Sequence, residues 1–189
     1  MRRSILVAAL ILAPAALSAQ QYPGMMPPPP AQRPVRFQAW GGMTIPLNYA
    51  YYSSVNTDDI GWTAGGTLLY HPAMSMYHFR VEGEYHAIGT DGASSAQVYG
   101  GGIGGGRAVS QGSAGMEGYF LAGLYNVEVC VANLTGGCQE ASELQFGTKL
   151  GANYAVGRGK VNPVLGFGWL YTWSSPYFSA ITITGGLRF

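Results

Sequence analysis

The sequence predicts an all-β chain folded as an eight-stranded antiparallel up-and-down transmembrane β-barrel, and three observations carry that prediction. Charged residues make up 10% of the 189 residues and aromatics 13%. An ordinary soluble protein carries roughly 25% charged residues, so there is too little charge here for a surface wetted on all sides. After the amino-terminal leader, no segment supplies the roughly 18 consecutive apolar residues of a membrane helix. From Val35 onward the chain breaks instead into period-two segments separated by turn signals, the pattern of membrane-crossing strands. Backbone groups in lipid must find partners within the protein, so strands cross only as a closed barrel.

Residues 1–19 read as a secretory signal peptide: Arg2 and Arg3, an apolar run from Ile5 to Leu17, then small residues before a cut after Ala19. Pro14 and the shortness of the run argue against a retained membrane helix. Loss of the two arginines turns the net charge from +1 to about −1, and nothing in that balance points to nucleic acid. Residues 20–34, QQYPGMMPPPPAQRP, favour extended polyproline and read as a periplasmic linker. The barrel then occupies residues 35–189 as one domain.

The strands follow in order. The first, about Val35 to Thr44, sets Val35, Phe37, Ala39, Gly41 and Met43 against Arg36, Gln38 and Trp40. The second, Ile60 to His71, sets Ile60, Trp62, Ala64, Gly66, Leu68 and Tyr70 against Thr63, Thr67 and His71. The third, Met76 to Ile88, is the most informative. There Tyr77, Phe79, Val81, Gly83, Tyr85 and Ala87 alternate with His78, Arg80, Glu82, Glu84 and His86, which a helix would mix around its circumference.

The fourth strand lies within Gln97 to Val109, where GGGIGGG leaves little pattern; no phosphate-loop Lys-Ser or Lys-Thr closes that run. The fifth lies in Glu117 to Val129, its faces blurred by YFLAGLY. The sixth, Glu143 to Val156, sets Leu144, Phe146, Leu150, Ala152, Tyr154 and Val156 against Gln145, Lys149 and Asn153. The seventh, Val161 to Trp173, sets Leu165, Phe167, Trp169, Tyr171 and Trp173 against small residues. The eighth is the closing ITITGGLRF, with Ile181, Ile183, Leu187 and Phe189 in one row.

PAMS, SQGSAG and GRGKVN are short connections, whereas Pro46 to Asp59, Gly89 to Ala96 and the stretch around Val131 to Ala141 are longer. Short turns belong on the periplasmic side, which puts both chain ends there. Phe37, Tyr70, Tyr77, Tyr154 and Phe189 then fall near the periplasmic interface, and Trp62, Tyr85, Tyr171 and Trp173 near the extracellular one. These nine rings form the two aromatic girdles of such a barrel. Trp40 points inward by parity, which calls for a bulge in the first strand or a lumen-filling role.

From YFLAGLYNVEV through FGTKLGANYAVGRGKVNPVLGFGWLY to ITITGGLRF, the chain resembles the small eight-stranded outer-membrane barrels of the OmpA and OmpX type, with no bound cofactor implied. The resemblance covers essentially Val35 to Phe189. It implies the bacterial outer membrane, within the wider porin family, and recognition of the terminal aromatic strand by the barrel-assembly machinery. Gly185 leaves one apolar slot of that signal without a side chain, and no periplasmic peptidoglycan-binding domain follows it.

An eight-stranded barrel is just wide enough to be filled by its own side chains. Arg36, Arg80, Lys149 and Arg188 are therefore expected to neutralise Glu82 and Glu84 across the lumen, with Glu117 as a further partner. Glu82 and Glu84 also stand about 7 Å apart, a spacing that suits a carboxylate pair or a cation, although the filled lumen favours the charge network. His78 and His86 lie roughly 26 Å apart and cannot share a metal, so no metal site is expected. Cys130 and Cys138 are a nearby even pair in an oxidising compartment and read as a disulfide that staples a loop.

The expected role of this monomeric barrel is structural or interactive: envelope integrity, adhesion, or ligand binding by extracellular loops. Its lipid neighbours are those of the outer membrane, and Tyr49, Tyr51 and Tyr52 are candidate contacts or extensions of the girdle. One alternative is a lipid A deacylase or acyltransferase, for which His86, Asp91, Ser94 and Ser95 lie close in sequence near the outer rim. Against it, all three histidines point inward by parity. Another alternative is a secreted, soluble, lipocalin-like binding barrel, which the few polar residues of the seventh and eighth strands oppose.

Overall fold

A computed structural model describes residues 34–47, 60–72, 75–89, 94–111, 114–132, 138–157, 159–174 and 177–189. The leader, the Pro-rich linker up to Arg33, and Tyr49, Tyr51 and Tyr52 lie outside the described residues. The described chain forms β1(Val35–Pro46), β2(Gly61–Tyr70), β3(Tyr77–Gly89), β4(Ser94–Gln111), β5(Ala114–Ala132), β6(Cys138–Val156), β7(Asn162–Thr172) and β8(Ser179–Arg188). Each strand pairs antiparallel with its sequence neighbours, and β1 pairs with β8 to close the barrel.

The register fixes the stagger. Paired positions run from Phe189 to Phe37, Leu68, Val81, Ile103, Ala122, Thr148 and Tyr171, and return to β8 at Ser179, ten residues from the start. Such stagger goes with strands tilted by about 35–45° and an interior only wide enough for side chains. The pairing of β1 with β2 runs without interruption from Val35↔Tyr70 to Thr44↔Gly61, so β1 has no bulge. Trp40 is a lumen side chain, 8% exposed.

Three strands are much longer than the alternation of the sequence suggested. β4, β5 and β6 have 18, 19 and 19 residues. The expected loops 89–96 and 131–141 shrink to residues 90–93 and 133–137, because their flanks continue as strand. The asymmetry between the two rims therefore lies in strand length as well as in the long 47–60 connection. On the rim opposite the chain ends, β4, β5 and β6 rise as a flange, its β5–β6 hairpin paired up to Ala132↔Cys138.

The physical reason is visible in the residues. On β4 and β5 the outward Gln97, Tyr99, Asn126 and Glu128 are polar while the inward Val98, Val127 and Val129 are buried, whereas β6 is exposed at every position from Glu140 to Leu144, and a strand wetted on both faces shows no apolar–polar alternation. Side-chain bonds nevertheless bind this part together across the three strands. Tyr99 donates to Glu128 at 2.7 Å, and Asn126 donates to the Tyr99 hydroxyl at 2.7 Å and to Ser142 at 3.0 Å.

Candidate functional site

Inside the barrel, every second residue of β3 from His78 to His86 brings an ionisable group into the lumen, as strand parity dictates. Arg80, Glu82 and Glu84 are 2%, 3% and 5% exposed. Lys149 enters from β6 and Arg188 from β8, both equally buried. The carboxylates and cations meet in two groups.

The central group is built around Glu82. Arg80 donates its Nε to Glu82 at 2.8 Å and adds a second bond from Nη2. Lys149 Nζ donates to the other oxygen of Glu82 at 2.6 Å and to Glu84. His86 Nε2 stands 3.1 Å from Glu84 on the far side. Neutral groups complete the set: Thr67 donates its hydroxyl to Glu82 at 2.9 Å and accepts from Trp40 Nε1 at 3.1 Å. The Arg80 guanidinium stacks 3.8 Å over the Tyr119 ring, and the Lys149 ammonium lies 4.8 Å from the Trp40 ring. These rings stabilise cations that have left water.

The second group sits nearer the chain ends. Arg188 grips Glu117 through two parallel bonds of 2.7 Å and donates to Gln38 at 2.9 Å. His71 Nε2 is 3.8 Å from Glu117, and the His71 and His78 rings lie 5.1 Å apart. Arg36, expected as a network cation, is half-buried and forms no ion pair among the described residues. The reason is positional: Glu117 is already held by the fork of Arg188.

Toward the opposite rim the lumen changes character. Ile88, Val98, Tyr125, Val127, Leu170 and Phe178 form an apolar plug, completed by small side chains such as Ala180. The filling is therefore ionic in the middle and near the chain ends, and apolar above. Buried charges persist only when paired and hydrogen bonded, and this arrangement supplies both.

The outer wall inverts the usual rule. Phe37, Trp62, Tyr70, Tyr77, Tyr154, Trp173 and Phe189 are exposed, and Tyr85 and Tyr171 half-exposed. Phe37 and Phe189 stack at 6.4 Å beside the chain ends, while Trp62–Tyr85 at 5.1 Å and Tyr171–Trp173 at 5.3 Å sit toward the other rim. The expected charge network did not include Gln38, Thr67 and Tyr119, which contact its charged groups. Their signal was present for Gln38 and Thr67, which share the inward parity of Arg36 and His71.

His71, His78 and His86 are 7%, 2% and 0% exposed, all within the lumen. His86 thus stands away from the outer wall, where a lipid-cleaving group would have to act. Among the described residues no group of three metal-ligating side chains converges.

No protein-family model matches the chain, and neither does any curated protein. Solved structures do resemble it. A major outer membrane protein from Thermus thermophilus superposes with a TM-score of 0.59 at 11% identity, covering 83% of this chain and 99% of that one. The fold is that of the small outer-membrane barrels. Neisserial surface protein A gives 0.57 at 14% identity over 82% of this chain and 96% of that one. Ail, the attachment invasion locus protein of Yersinia pestis, gives 0.52 at 12% identity over 82% and 97%. At these identities the likeness concerns the fold and carries no residue role across.

Proposed function

We propose that this chain is a monomeric bacterial outer-membrane barrel, closed to transport, that acts as a structural or interaction protein through the parts rising above its outer rim. The observation that carries this reading is the inversion of burial: Phe79 and Ile103 are 63% and 68% exposed while Arg80 and Lys149 are 2%. Water would reject such a wall and lipid would accept it. A lipocalin-like soluble barrel would need the reverse.

In this reading residues 1–19 are removed on export and residues 20–34 link in the periplasm. The terminal strand ending in Phe189 is read by the barrel-assembly machinery, and the flange faces outward. Tyr49, Tyr51 and Tyr52 belong to the same outer face. Cys130 and Cys138 form a disulfide near the tip of the β5–β6 hairpin. Supporting it, Cys130 pairs with Glu140 and Ala132 with Cys138, which sets the two cysteine positions two residues apart in register on one strand pair, and no cysteine among the described residues is free. Arg36 contributes from the mouth of the lumen without a fixed partner.

Fractionation of cells expressing the full chain tests the reading. The protein is expected in the outer membrane, soluble only in detergent, and migrating differently on unheated and heated gels. Folded protein in the soluble periplasm overturns it. Lipid A mass spectrometry on the same cells is expected to show no change, and the gain or loss of one acyl chain would establish the enzymatic alternative instead.

A further inference from the structure

Among the described strand residues the outer wall carries a single cation, and no described anion meets it. Arg107 of β4 pairs with the outward Tyr77 of β3 and the outward Gly118 of β5, whereas Arg36, Arg80, Lys149 and Arg188 turn to the lumen. Arg107 is half-buried, its Nε has no acceptor among the described residues, and its Nη2 lies 3.7 Å from the Met76 sulfur. Met76 stands at the turn end of β3, tied to β4 by the 2.7 Å bond from Ala108 N–H to its carbonyl. The guanidinium therefore leans toward the rim that holds the chain ends. Glu128 and Glu140, the outward carboxylates of β5 and β6, stand at the opposite rim, and Glu117 faces the lumen in the grip of Arg188.

Beside Arg107 the wall is hollow. The row of paired residues leading away from it runs through Gly118 and Ala152 to Phe167. A Cβ on Gly118 would meet nothing within 4 Å, and Ala152 adds one methyl group. The outward rows on either side are bulky, with Phe120 and Leu150 above and Met116 and Tyr154 below, all exposed. They wall a trough that starts at Arg107 and ends against Phe167. The stagger of the barrel decides where this trough leads. A circuit of paired positions that leaves β8 at Phe189 returns to it at Ser179, so each row climbs away from the chain ends as it passes from β4 to β7. At the usual strand tilt the climb is roughly 3 Å per strand. The trough thus leaves a cation at the interface and rises into the apolar band.

A glycerophospholipid has the complementary shape, an anion at the interface and a hydrocarbon tail directed into the bilayer. A guanidinium binds phosphate oxygens through paired bonds. No described carboxylate nearby would receive the ammonium of a zwitterionic headgroup, which favours a lipid of net negative charge. We infer that Arg107 and the trough over Gly118 and Ala152 bind one anionic glycerophospholipid, its phosphate on the guanidinium and one acyl chain along the trough. The inference rests on the outer-membrane reading, in which the adjoining leaflet is the periplasmic one.

The test uses the full chain in neutral detergent micelles holding equal amounts of phosphatidylglycerol and phosphatidylethanolamine, with retained lipid counted by native mass spectrometry. One phosphatidylglycerol is expected, preferred at least about tenfold over phosphatidylethanolamine. Arg107→Gln is expected to abolish the preference and Arg107→Lys to restore part of it. Gly118→Leu keeps the charge but fills the trough, and is expected to lower retention at least about fivefold. Gly185→Leu, at an outward position equally free of contacts on β8, is expected to leave retention unchanged. Heat-modifiable migration reports the folding of each variant. Equal retention of the two lipids by the parent, an undiminished preference in Arg107→Gln, or retention indifferent to Gly118→Leu overturns the inference. Displacement of the lipid by millimolar inorganic phosphate would reduce the site to one for a free anion and overturn the lipid as occupant. Lipid-free dimers that Arg107→Gln dissociates would make a second copy the occupant instead. Folded protein in the soluble periplasm defeats the membrane reading, whereas outer-membrane protein without the lipid preference defeats this inference alone.

Discussion

Lys149 of β6 places its ammonium between two carboxylates of β3, donating to Glu82 at 2.6 Å and to Glu84 beside it. This contact joins strands separated by 65 to 67 residues in sequence and crosses the lumen at its middle. A single cation thus holds two buried carboxylates that would otherwise repel each other.

Lys149→Met tests that relationship. The methionine fills similar volume but takes from Glu84 its lysine partner, leaving the His86 imidazole 3.1 Å away, and breaking a buried pair in this way costs about 3–5 kcal/mol. Urea unfolding in lipid vesicles is expected to show a lower midpoint by a corresponding amount. Arg80→Ala is expected to behave likewise, because Glu82 would lose the Nε bond of 2.8 Å and the Tyr119 ring would lose its cation. An unchanged midpoint in either variant would mean that water reaches Glu82.

The Arg188–Glu117 fork gives a sharper version. Arg188→Met alone strands a carboxylate that is 4% exposed, and a loss of about 3–5 kcal/mol is expected. Arg188→Met combined with Glu117→Leu removes both charges. The double variant is expected to lie closer to the parent than the single one, since well-packed apolar replacements of a buried pair are often neutral. A double-mutant cycle on unfolding midpoints measures it, and strict additivity would contradict direct coupling.

How much of this was legible depends on what faces what. In β3 every inward residue from His78 to His86 is ionisable, so period and facing are both readable, and the register bears the facing out. β5 resisted because its inward Leu121 is buried and its inward Tyr125 and Val127 line the apolar plug, while its outward Phe120 and Leu124 meet the outside. Two apolar faces erase the alternation. The flange failed for the opposite reason, as Glu140 to Glu143 is polar on both faces. The partner of each cation was also out of reach, because strand parity tells inward from outward but not which residues meet across the lumen. Arg36 shows this: it shares the parity of Gln38, which bonds Arg188, yet stands half-buried and unpaired among the described residues.

The proposed disulfide makes a prediction that needs no folding assay. A maleimide reagent is expected to label neither Cys130 nor Cys138 in the purified protein and both after reduction and denaturation. Closing so short a loop contributes about 2–3 kcal/mol in the chain-entropy account. Cys130→Ser is therefore expected to lower the unfolding midpoint of the parent but to leave that of the reduced protein unchanged. Labelling before reduction would remove the staple from the hairpin.

Glycines separate the two sides of the wall. On β6, Gly151 faces inward, and a Cβ there would run into the ring of Tyr119, which is itself stacked under Arg80 at 3.8 Å. Gly151→Ala should thus force the ring and its cation to move together, at a cost of about 1–3 kcal/mol for overpacking. Gly118 and Gly185 face outward, and a Cβ at either meets nothing within 4 Å. With no steric cost and less backbone freedom to lose on folding, Gly118→Ala and Gly185→Ala are expected to be neutral or to stabilise by up to about 1 kcal/mol. Unfolding midpoints of the three variants in one lipid check the contrast. If Gly151→Ala were as benign as the outward pair, the Tyr119 ring would have room to turn, and the lumen would be looser than the Arg80 stack implies.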